Sequence, residues 1–144
     1  MPSIGTKIPR KKKIIGYKIA VKDGRRYRSI FTWHVYQAGK HIAKFKYNKK
    51  KEIIPEVPYP LRNHTWFCFD EKYNGYTSVF QNEEDAILTN IGIGGFWLQT
   101  LPQKIVVLKM TLSDDLRVSF TGHKYMGKKI EKIEEVKLLH NGNK

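Results

Sequence analysis

The sequence predicts an α+β fold: a twisted, mostly antiparallel sheet or partial barrel carrying one short helix. Three observations predict it. Apolar and aromatic residues recur in short, often alternating runs bounded by Gly, Pro, Asn and Asp, as strands do. Asp23-Gly24 separates two such runs as a hairpin turn. Asn82 followed by Glu83-Glu84-Asp85 is the one stretch with clear helix-starting chemistry.

Residues 1–13 hold Pro2, Gly5 and Pro9 and end in Arg10-Lys11-Lys12-Lys13, so they read as an extended basic arm and not a folded element. Residues 14–139 read as a single β-rich domain and 140–144 as a C-terminal tail. Ile14 to Val21 is β-compatible and ends at Asp23-Gly24; Arg25 to Trp33 alternates well enough to return. Depending on register, this hairpin sets Lys18 and Lys22 near Arg26 and Arg28. Val35 to Tyr47, interrupted at Gly39, alternates basic and apolar residues and predicts a half-exposed strand with a cationic face. Asn48 to Lys51, then Pro55, Pro58 and Pro60, predict a loop, because proline removes ladder donors and fixes φ.

Thr65 to Asp70 and Gly75 to Phe80 read as aromatic strands. Asn82 caps a helix whose first-turn carboxylates complement exposed N–H groups, and Gly92, Gly94 and Gly95 end it near residue 91. Ile105 to Leu112 is the best central strand, Ser113-Asp114-Asp115 a turn, and Val118 to Phe120 a short strand. Lys128 to Leu139 is ambiguous. Ile130, Ile133, Val136 and Leu139 fall three apart, which suits a helix, while Glu135 to Leu138 suits a terminal strand; strand is favoured for the second half.

The charge is segregated. The chain has 144 residues and a net charge of +14, and residues 1–51 hold 16 of its 27 basic residues with one acid, Asp23. The remaining 93 residues are close to neutral. Such density self-repels unless a polyanion or salt compensates it, and a phosphate backbone is a common compensator. Tyr17, Tyr27, Phe31, Trp33, Tyr36, Phe45 and Tyr47 interleave with the cations, as in grooves that hold phosphates and stack single-stranded bases. The competing reading is a solvated basic face over aromatics that point into the core. The nucleic-acid reading selects Arg10, Lys11, Lys12, Lys13, Lys18, Arg25, Arg26, Arg28, Lys44, Lys46, Lys49 and Lys50 as the contacts.

Other chemistries find weaker support. No run approaches the ~20 apolar residues of a membrane span, and charges stand where a secretory leader is apolar, so no membrane partner and a cytoplasmic location are expected. The single cysteine, Cys68, forms no internal disulfide and sits between Phe67 and Phe69 as an apolar residue. His34, His41, His64, His123 and His140 show no metal-ligand spacing, so no metal or other cofactor is expected. Gly92-Ile93-Gly94-Gly95 lacks the Lys-Ser/Thr of a phosphate loop. Asp114-Asp115 reads as a turn, and Glu131, Glu134 and Glu135 among neighbouring lysines read as a salt-laced surface.

Gly16-Tyr17-Lys18, Asn74 to Phe80, Glu84-Asp85-Ala86, Val106 to Met110 with Asp115-Leu116-Arg117, and Lys129 to Val136 follow one another in an order that resembles small uncharacterised β-rich proteins of phages and large DNA viruses. The resemblance implies a compact α+β fold and a viral or mobile-element setting, and carries no catalytic set. The segment order is also similar to that of ADP-ribosyltransferases. That resemblance would make Glu134 or Glu135 the late glutamate and give His34 or Tyr36 to NAD, without a diagnostic motif. The expectation is therefore a non-enzymatic accessory protein that binds DNA, RNA or an acidic protein surface through its basic first third. It would act inside a nucleoprotein assembly or as an inhibitor of host defence, with the NAD-dependent transferase as the alternative.

Overall fold

The computed structural model describes residues 5–10, 12–29, 35–42, 75–92, 102–119 and 122–142. The strands are β1 (Thr6–Lys7), β2 (Ile14–Asp23), β3 (Arg26–Arg28), β4 (Val35–Tyr36), β5 (Lys40–His41), β6 (Thr77–Phe80), β7 (Lys104–Ser113), β8 (Arg117–Val118), β9 (Lys124–Gly127) and β10 (Lys129–His140), with α1 (Glu83–Gly92) between β6 and β7. They form one sheet in the order β1-β8-β9-β6-β2-β7-β10-β5, with β3 branching from β2 and β4 following β3. Every pairing is antiparallel. Among the described residues the predicted α+β class and single short helix are observed, and the sheet does not close into a barrel.

The two richest apolar runs make the centre. β2 and β7 pair continuously from Ile14 opposite Leu112 to Lys22 opposite Lys104. Side chains alternate across a strand, so even-numbered residues of both strands share one face and odd-numbered residues the other. The even face holds the larger core, where Ile14, Ala20, Val106, Leu108, Met110 and Leu112 meet Val79, Leu116, Ile130, Tyr36 and Ile42. On the odd face Ile19, Val21, Ile105 and Val107 pack against Ala86 of α1. Asn82 caps that helix as expected, its side-chain oxygen accepting the Asp85 amide at 2.9 Å.

The outer edge of β2 is divided between two neighbours. β6 meets it at Tyr17, opposite Phe80, and β3 pairs with residues 21–23. Gly16 permits the crossing. A Cβ there would overlap the Val79 side chain and lie 2.7 Å from the Phe80 carbonyl oxygen.

Several expectations change. The arm contributes β1, which pairs Thr6 with Val118 and Lys7 with Arg117, and the Ile8 amide donates to the Leu116 carbonyl at 2.9 Å. The hairpin turns on Gly24-Arg25, because Asp23 pairs with Arg26; Gly24 at φ +65° takes the first central position, which suits a type II′ turn. The slip puts Arg26 opposite Asp23 and Arg28 opposite Val21, and in either register the two arginines oppose odd-numbered residues of β2, on the face away from Lys18 and Lys22. β9, a short strand after Gly122, carried no clear sequence signal. β10 is strand throughout and runs to His140, taking the first residue of the expected tail. Residues 43–74, including the proline loop and the Thr65 to Asp70 segment, lie outside the described residues. Among the described residues no helix is long and apolar enough to cross a membrane.

Candidate polyanion-binding surface

At one end of the sheet β2 begins, β7 ends and β10 starts. Arg10, Lys12, Lys13 and Lys40 are exposed there. The carboxylates of the same end are already engaged. Asp114 meets His41 at 3.1 Å. Asp115 accepts from Arg117 at 3.0 Å and from the Tyr76 hydroxyl, with the Lys128 ammonium at 3.8 Å. Glu131 accepts from the Ser113 hydroxyl at 2.5 Å and faces Lys129 at 3.6 Å. Among the described residues, no carboxylate lies within ion-pair distance of Arg10, Lys12, Lys13 or Lys40.

The turn at this end is built on two left-handed residues, Asp114 at φ 64° and Asp115 at φ 50°. Aspartate tolerates this conformation better than most residues. Around it the electrostatics are cationic. The hydrogen bond from Tyr76, together with Arg117 and Lys128, holds the Asp115 carboxyl below its ordinary range. The Ser113 hydrogen bond, Lys129 and Lys13 do the same for Glu131. Burial and the Asp115 carboxylate push the Tyr76 phenol up.

A second basic group sits at the far end of β2, about 30 Å away for a ten-residue strand. Here Lys22 pairs with Glu135 at 3.2 Å and Arg28 with Asp23 at 2.9 Å. Arg25 and Arg26 at the hairpin tip are exposed, with no carboxylate in range among the described residues. Cations that are continuous in sequence are thus divided between opposite ends of one strand.

Of the predicted contacts, Arg10, Lys12 and Lys13 come together, and Arg25, Arg26 and Arg28 form the distal group. Lys18 leaves the set. It is 1% exposed on the face of the larger core, and its ammonium donates to the Ser78 carbonyl at 2.9 Å. Its even-numbered position in β2 determines this, since the alternating strand directs it inward between Gly16 and Ala20. Lys11, Lys44, Lys46, Lys49 and Lys50 lie outside the described residues, as do His34, His64 and Cys68. Tyr36, considered for NAD, is 3% exposed within the larger core. Glu134 lies opposite Lys109 and Glu135 opposite Leu108, so the two glutamates occupy opposite faces. No cluster of three or more metal-ligating side chains occurs among the described residues.

Sequence reasoning missed one alignment. On the helix face a cross-strand row runs Lys124, Phe80, Tyr17, Lys109, Glu134 through β9, β6, β2, β7 and β10. Lys124 and Lys109 belong to the electrically neutral part of the sequence, and only the pairing register brings them into one row with Tyr17. No protein-family model, curated protein or solved structure matches the chain.

Proposed function

We propose that the protein is a non-enzymatic nucleic-acid-binding protein that holds phosphates with Arg10, Lys12, Lys13 and Lys40. One observation carries the reading: these four exposed cations share an end of the sheet whose carboxylates, Asp114, Asp115 and Glu131, already have partners. Positive charge in excess of the nearby carboxylates raises the local concentration of a polyanion and gains affinity by releasing its counterions. An accessory role inside a nucleoprotein assembly is compatible with such a surface.

The test is binding to labelled DNA and RNA over a salt series. The proposal expects log affinity to fall steeply with log salt. The combined replacement of Arg10, Lys12 and Lys13 by Gln should flatten that slope by roughly two to three units, at about 0.7–0.9 for each phosphate no longer neutralised. Melting temperature should be unaffected, because no carboxylate among the described residues pairs with these side chains. Salt-independent binding, or no binding at all, overturns the reading.

A further inference from the structure

We infer that the helix face of the sheet is a stacking platform for single-stranded nucleic acid, centred on Tyr17. The inference rests on the proposed function and deepens it by naming the strand state of the ligand.

Tyr17 is half-buried and stands at the middle of the row, opposite Phe80 on one side and Lys109 on the other. The Lys124 ammonium lies 4.7 Å from the centroid of the Phe80 ring and caps it. Tyr17 packs on one side against the core beneath α1 and keeps part of its ring exposed, and among the described residues no cation covers it, so the exposed part is what can take a base. Lys109 flanks it on the neighbouring strand, about 5 Å away, and Lys124 stands two strands away beyond Phe80, about 10 Å off. The acid at the row's end is neutralised, since Glu134 pairs with Lys132 at 2.6 Å.

Two features orient the ligand. The acidic first turn of α1, Glu83-Glu84-Asp85, begins three residues after Phe80 and repels phosphate on that side. Away from α1, the next row is Ile15, Thr111 and Lys132, where Ile15 is 49% exposed, and just beyond it lies Lys13. A path from Tyr17 over Ile15 to Lys13 covers about 13 Å at two residues per row. It therefore joins the aromatic row to the cations of the proposed phosphate site. A duplex hides its base faces and has no use for the ring, whereas an unpaired strand stacks on it without regard to sequence.

The experiment compares single-stranded and duplex oligonucleotides of about twelve nucleotides, as oligo(dT), oligo(U) and their duplexes, at matched salt. Single strands should bind about tenfold tighter than duplexes, and Tyr17→Leu should lose about tenfold for single strands while leaving duplex affinity unchanged. Tyr17→Trp, which keeps the stacking surface, should retain affinity and show, with single strands alone, an emission change absent from the wild-type protein with its Trp33, Trp66 and Trp97. Lys109→Gln should lower the single-strand salt slope by about 0.7. Equal affinity for both forms, with Tyr17→Leu and Lys109→Gln silent and no change in the indole emission of Tyr17→Trp, overturns this inference while leaving the proposed function standing. Failure of every oligonucleotide to bind removes both. If Tyr17→Leu does not fold, the Tyr17→Trp emission and the Lys109→Gln slope decide. The oligo(dT) and oligo(U) arms assign DNA or RNA as the preferred strand.

Discussion

The Tyr76 hydroxyl donates to Oδ2 of Asp115, a residue 39 positions away, while the other oxygen of that carboxylate accepts from Arg117 at 3.0 Å. This contact ties the residue before β6 to the left-handed turn after β7. It satisfies a buried phenol and fixes a backbone conformation that costs free energy on its own.

Stability should therefore depend on pH at both limbs. The folded Asp115 carboxyl sits below its ordinary value of 3.8, so its contribution is complete above that value and is lost as pH falls through the lower folded one. The folded Tyr76 phenol sits above its ordinary 10.0, so its contribution is complete below 10.0 and is lost as pH rises through the higher folded value. Tyr76→Phe should cost about 1.5 kcal/mol at neutral pH, the scale of a hydrogen bond to a charged group. It should also shallow both limbs in urea titrations measured from pH 2 to 11. Limbs of unchanged steepness would show that other groups set the pH dependence.

The crossing at Gly16 gives a second prediction. A methyl group at this position meets Val79 and the Phe80 carbonyl, both held by strand pairing with β9. Neither can move without breaking the ladder. Gly16→Ala should cost about 2–3 kcal/mol, within the range of overpacked sites. Gly24→Ala meets no atom within 4 Å and strains only the backbone at φ +65°, so it should cost about 1 kcal/mol. Chemical denaturation of the two variants checks the ranking, and an equal loss at both would mean that β6 does not press on β2.

The sequence disclosed the elements better than their pairing. The apolar runs of β2 and β7 and the Asn82 cap were legible because each is a local property of neighbouring residues. β10 was not. Ile130 and Ile133 lie three apart yet share the larger core, because the register with β7 shifts between Ile130 and Lys132. A β-bulge adds one residue, which turns a period of two into an apparent helical spacing of three. The candidate site was half legible for the same reason. The cations Arg10, Lys12 and Lys13 could be read from composition, but the Lys109–Tyr17–Phe80–Lys124 row exists only once four strands are in register.

Lys18 supplies the last prediction, because composition grouped it with the phosphate contacts and the fold buries it. Its alkyl stem lies among the large residues of the core, and its ammonium reaches the Ser78 carbonyl at 2.9 Å. Lys18→Met keeps the stem's volume and removes that donor, so it should cost about 1–3 kcal/mol for a carbonyl left short of a partner. Lys18→Ala also opens a cavity and should cost more, about 2–5 kcal/mol. Neither loss should alter the salt dependence of nucleic-acid binding at a temperature where the variant is folded, since a buried cation releases no counterions from a phosphate. Denaturation curves and a salt series on the Met variant separate the two roles. A slope reduced by nearly one unit with stability intact would return Lys18 to the binding surface.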